Sequence, residues 1–182
     1  MGGAMLITNA SPIIRNVRFV DCSASGGDAS NNCGGGGDGG WGGYARGGAV
    51  GIGSGSNPIF KNCQFINCYV QGGNGGNGDT SIQTPGHGGS WGDPNGDVDH
   101  TWDNADGRGP NGGYAPYWFY SGYGGAIYCS EGSKPQFENC LFRGNRTYGG
   151  LCGLSAPNMW PWPINRYVID SFGGAVYLAA GS

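Results

Sequence analysis

Charge is scarce in this chain: Asp, Glu, Lys and Arg together make up 12% of its 182 residues. The formal net charge is −3, and no basic patch with interleaved aromatics stands out, so nothing here is built to hold nucleic acid. Histidine occurs only at His87 and His100, and neither sits in a metal-ligand or acid–base pattern. No apolar run approaches the roughly 18 residues that a membrane span needs. The first ten residues, MGGAMLITNA, carry neither the charged start nor the cleavage site of a secretory leader. Glycine is abundant, at 42 residues, yet no strict G-X-Y period appears, which excludes collagen.

What the chain does contain is a repeat. The copies read GGAMLITNASPIIRNVRFVDC from Gly2, GGAVGIGSGSNPIFKNCQFINC from Gly47 and GGAIYCSEGSKPQFENCLFRGN from Gly124, with a shorter GGAVYLAAGS from Gly173. Anchored on Pro12, Pro58 and Pro135, three columns coincide: Asn16, Asn62 and Asn139; Phe19, Phe65 and Phe142; and Cys22, Cys68 and Asn145. After each Gly-Gly, apolar residues recur at every second position: Met5 and Ile7, Val50 and Ile52, Ile127 and Cys129, Val176 and Leu178. That is strand alternation. A second short strand follows each proline, offering Ile14, Phe60 and Phe137, and a third follows each Asn.

Three short strands per repeat, separated by Gly, Pro and Asn bends, predict one turn of a coil whose turns stack about 4.8 Å apart as parallel strands. A single turn cannot bury its apolar side, whereas stacked turns can. The expected fold is therefore all-β, a parallel β-helix of about three and a half rungs in a single domain. Rungs start near residues 2, 47, 124 and 173, with loop insertions at 23–46, 69–123 and 146–172. Phe19, Phe65 and Phe142 should stack as an internal ladder, and Asn16, Asn62 and Asn139 should hydrogen-bond from rung to rung.

GGAI followed by FxxN resembles the repeats of polymorphic-outer-membrane-type proteins and other large bacterial right-handed β-helix surface proteins. Gly124-Gly125-Ala126-Ile127 and Phe142-Arg143-Gly144-Asn145 match both halves; the first two copies carry Cys22 and Cys68 in place of the final Asn. The resemblance covers roughly half the chain. It implies a right-handed coil and an extracellular or cell-surface location on a bacterium, and it brings no activity with it. Because the sequence begins and stops inside a repeat, the expectation is a segment of a longer protein, or a subunit completed by its neighbours.

Seven cysteines lie in repeat columns or loops rather than in zinc-site spacing. Cys22 and Cys68 share a column, as do Cys63 and Cys140, and stacked Cα atoms about 4.8 Å apart fall within disulfide range. Two readings stand: bridges at both pairs, or small buried hydrophobes in a ladder. Cys129 shares its column with Ile7, Ile52 and Leu178 and reads as a hydrophobe.

The longest insertion holds DPNGDVDHTWDNADG, where Asp93, Asn95, Asp97, Asp99, Asp103 and Asp106 place oxygen side chains around a glycine. A hard cation takes six to eight oxygens, so this is a candidate Ca²⁺ loop, the only cofactor the sequence suggests. It resembles the start of an EF-hand-type or thrombospondin-type loop but has Asn104 where the closing Glu would stand. The competing reading is a set of acidic turns facing solvent. Trp118 and Tyr120 in one insertion, with Trp160 and Trp162 in the next, are candidate anchors for a partner chain or a glycan. Asn145-Arg146-Thr147 fits the N-x-[ST] sequon.

These features favour a non-enzymatic structural segment of an extracellular filament, stalk or adhesin. Its partners would be copies of itself stacked head to tail, adjoining repeats, or glycans. The alternative is a polysaccharide-binding or polysaccharide-degrading β-helix. Acid–base chemistry needs converging carboxylates. The outward columns read Arg15, Lys61, Glu138, then Arg18, Gln64, Leu141, then Asp21, Asn67, Gly144, and stack no acidic cluster.

Overall fold

The computed structural model describes residues 1–31, 42–76, 122–150 and 171–179, and all strand pairing among them is parallel. The first rung comprises β1 (Met5–Ile7), β2 (Ile13–Arg15), β3 (Arg18–Val20), β4 (Ser23–Ser25) and β5 (Ala45–Arg46). The second comprises β6 (Val50–Ile52), β7 (Ile59–Lys61), β8 (Gln64–Ile66), β9 (Tyr69–Gln71) and β10 (Gly122–Tyr123). The third comprises β11 (Ile127–Cys129), β12 (Gln136–Glu138), β13 (Leu141–Arg143), β14 (Arg146–Tyr148) and β15 (Ser171–Phe172), and β16 (Val176–Leu178) opens a fourth. Like strands pair with like: β1-β6-β11-β16, β2-β7-β12, β3-β8-β13, β4-β9-β14 and β5-β10-β15. This is a parallel β-helix.

Each rung therefore has five strands where the sequence pattern suggested three. The fourth and fifth strands, such as Tyr69–Gln71 and Gly122–Tyr123, lie inside the segments 23–46, 69–123 and 146–172 that read as insertions. The excursion in each rung is shorter than expected and falls between its fourth and fifth strands. Backbones meet where the excursions leave and rejoin the coil: Gly43 N donates to Gly27 O at 2.7 Å across the first excursion, and Gly73 N of the second donates to Gly43 O at 2.8 Å.

Four of the five corners are left-handed, and the sequence supplies a residue that tolerates positive φ at every one. The columns are Gly2, Gly47, Gly124 and Gly173; Asn9, Gly55 and Gly132; Asn16, Asn62 and Asn139; and Asp21, Asn67 and Gly144, with φ between 49° and 73°. The last column read from the sequence as merely outward-facing. The second glycine of each Gly-Gly has a different task. A Cβ on Gly48 would overlap the carbonyl oxygens of both Gly125, one rung on, and Tyr69, across the coil.

The core is the stack of inward side chains. Val50, Ile52, Phe60, Cys63, Phe65, Cys68 and Val70 of the second rung are fully buried. Phe65 stacks on Phe19 at 4.9 Å and 5° and on Phe142 at 4.8 Å and 6°, while Phe60 stacks on Phe137 at 5.4 Å and meets Phe65 edge-on. In-register stacking of identical rings buries each against the next, contributing about 0.5–1.5 kcal/mol per pair beyond area.

Candidate functional site

A β-helix offers three kinds of surface: the outward columns, the excursions, and the two ends. On the outward columns the Asn corner carries a ladder, with Asn139 Nδ2 donating to Asn62 Oδ1 at 2.8 Å and Asn62 Nδ2 to Asn16 Oδ1 at 3.4 Å. Beside it Lys61 and Glu138 form a 2.6 Å ion pair across rungs. Being half-exposed, that pair contributes at most about 1 kcal/mol. Among the described residues no group of three or more His, Cys, Asp or Glu side chains converges.

The cysteine columns are bonded to the backbone. All five described cysteines are free thiols. Cys68 Sγ reaches Phe19 O at 3.6 Å, Cys63 Sγ reaches Ile14 O at 3.6 Å, and Cys140 Sγ reaches Phe60 O at 3.5 Å, each bond running to the preceding rung. Burial pushes the Cys68 thiol up to about 11, against a hydrogen bond with the Cys22 backbone that opposes the rise, and pushes Cys129 up to about 12. Burial likewise raises Cys140. These are protonated, inert thiols at neutral pH.

Asn145 takes the place of a thiol in the same column. Its Nδ2 donates to Phe65 O at 3.0 Å and its Oδ1 accepts from Cys68 N at 2.9 Å. Cys and Asn are thus interchangeable here because both donate to the carbonyl one rung back. The amide that matches a glycosylation sequon is half-buried and already committed to these two bonds.

Among the described residues, the two ends carry the unpaired backbone. Ile59, Gln64 and Tyr69 donate their N–H groups back to Pro12, Val17 and Cys22 of the first rung, each at 2.9 Å. Gln136, Leu141 and Arg146 repeat those bonds one rung on. By the same register the N–H groups of Ile13, Arg18 and Ser23 point out of the first rung, and the carbonyls of Pro135, Cys140 and Asn145 out of the third. Bonds in the other direction, Asn62 N to Glu138 O and Asn67 N to Arg143 O, leave the N–H groups of Asn139 and Gly144 open at the third rung. The carbonyls of Arg15 and Val20 are left open at the first. Each end offers what the other accepts.

A further cluster was not singled out by sequence. Arg46 on β5 and Tyr123 on β10 are register partners, as are Tyr128 and Tyr177 on the neighbouring sheet. The Arg46 guanidinium carbon lies 4.4 Å from the Tyr44 ring centroid, 4.9 Å from Tyr128 and 5.6 Å from Tyr123. Tyr128 and Tyr177 stack at 5.7 Å and 4°, and Tyr123 meets Tyr177 edge-on at 4.9 Å. Counting one residue back from the second and third Gly-Gly (Arg46, Tyr123) and four on from the first glycine of the third and fourth (Tyr128, Tyr177) finds all of the cluster but Tyr44.

The candidate Ca²⁺ residues Asp93, Asn95, Asp97, Asp99, Asp103 and Asp106, and the aromatics Trp118, Tyr120, Trp160 and Trp162, lie outside the described residues. No described helix is long and apolar enough to cross a membrane. No family model matches this chain, and neither the curated proteins nor the solved structures yield a match to it.

Proposed function

We propose that the chain is a structural coil segment, extended at its open edges by further rungs from adjoining sequence or from another copy, in an extracellular filament, stalk or adhesin. The observation that carries this reading is the complementarity of the two ends. Unpaired strand edges recruit further strands unless blocked, and a head-to-tail contact of this kind generates a filament rather than a closed dimer. The likeness of GGAI and FxxN to bacterial surface-protein repeats supports a cell-surface setting.

The test is the weight-average mass of the purified chain across a concentration series, for the native sequence and for Arg18→Pro. Proline removes the outward N–H at the first-rung edge, a position where sheets tolerate it, and leaves the bonds to the second rung intact. The native mass should rise with concentration and the variant should stay near monomer. A native chain that is monomeric at the highest concentration overturns the proposal.

A further inference from the structure

We propose that the face formed by Tyr44, Arg46, Tyr123, Tyr128 and Tyr177 binds a carboxylate-bearing sugar. This reading is independent of end-to-end extension, since the cluster lies on the flank of the coil. Three observations carry it. First, the guanidinium is cradled by three tyrosine rings but has no ion pair or hydrogen bond to an acceptor among the described residues. Second, Arg46 Nε is buried with no hydrogen-bond partner, although the residue as a whole is half-exposed. A buried donor left without an acceptor is costly, and in native structures it marks a group waiting for water, an ion or a ligand. Third, three of the four rings are accessible: Tyr44 is 43% exposed and Tyr123 and Tyr177 are half-buried, while Tyr128 is buried at 7%.

The two halves of the site select different parts of one ligand. A planar guanidinium presents a fork of N–H donors that matches a carboxylate, and cation–π contact holds it in place without consuming its in-plane donors. The negative π-faces of the tyrosines suit the weakly positive C–H face of a pyranose ring. An inorganic anion would use the first half alone, and a neutral sugar the second. A sugar acid uses both.

Calorimetric titration of the whole chain at low ionic strength tests this with three probes: tetragalacturonate, the matching uncharged galactose oligomer, and inorganic phosphate. The acidic oligomer should bind at least tenfold more tightly than either of the others, and its affinity should fall as salt rises. Arg46→Gln should lose at least tenfold, Arg46→Lys an intermediate amount, and Tyr177→Ala several-fold, with thermal unfolding monitored alongside. Should Arg46→Gln fail to fold, Tyr177→Ala on the last strand still reads the platform. Equal affinity for the neutral oligomer, equal affinity for phosphate, absence of binding, or full binding by a folded Arg46→Gln would each overturn the proposal.

Discussion

The second rung and the two that flank it use the same columns, yet they are not equally buried. Phe60, Cys63, Phe65 and Cys68 are wholly enclosed, whereas their counterparts Phe137, Cys140 and Phe142 on the third rung, and Ile14, Val17 and Cys22 on the first, are only partly so, with Phe19 nearly closed at 5%. The third rung makes the point within itself. Ile127 and Cys129 are fully buried because β16 covers them, while Phe137 and Phe142, with no described rung beyond, are half-open. Burial in a solenoid is therefore conferred by the neighbour, as expected when stability is a sum of rungs and interfaces.

Truncating aromatic rings should expose that contrast most strongly. Phe65→Ala empties a fully enclosed site between two stacked rings and should cost ~3–5 kcal/mol in urea unfolding. Phe142→Ala removes a ring that is only partly buried and should cost about 2 kcal/mol. Equal losses would mean that the end rungs are as well packed as the middle one. A comparison between glycines comes next. Gly48→Ala forces a methyl group against two backbone carbonyls and should cost about 3 kcal/mol. Gly55→Ala meets nothing within 4 Å and carries only the strain of a positive φ, about 1 kcal/mol.

The thiols give the contrast a pH axis. Cys68 and Cys129 ionise near 9 when unfolded but only at about 11 and about 12 in the coil. Between those values the unfolded chain binds fewer protons, so stability falls as pH rises. Thermal unfolding should thus be insensitive to these thiols below pH 9 and decline above it, and Cys129→Val should flatten the decline. The smallest effect belongs to the exposed ladder. Asn62→Gly keeps the corner but removes both ladder bonds, costing roughly 1 kcal/mol, and Asn139→Gly removes one and should cost less. Matching shifts in unfolding temperature would show that the ladder contributes nothing beyond the corner.

The register is legible in the sequence, because the prolines and the residues four and seven places after them recur without a slip. Ile13, Ile59 and Gln136 pair as that alignment requires. The fourth and fifth strands were not legible. Ser23–Ser25, Tyr69–Gln71 and Arg146–Tyr148 each turn a single central residue inward (Ala24, Val70 and Thr147), so no alternation can be seen. Two-residue strands such as Ala45–Arg46 are shorter still. The corner at Asp21, Asn67 and Gly144 escaped for another reason: three residue types share one left-handed conformation, and a search for identical letters passes over them.

By itself the sequence determined the coil. Period, corner residues and inward columns are local properties, and stacking like on like follows from them. Only the tertiary structure decided which members of a column are enclosed, how many strands make a rung, and what meets across its outer face. Arg46 and Tyr177 lie far apart in the chain, on different copies of the repeat; Tyr128 and Tyr123, packed between them, bring the guanidinium and the outermost ring into one cluster. The physical reason is that an alignment records which residue occupies a column, whereas burial and contact depend on the rung above, the rung below and the adjoining sheet.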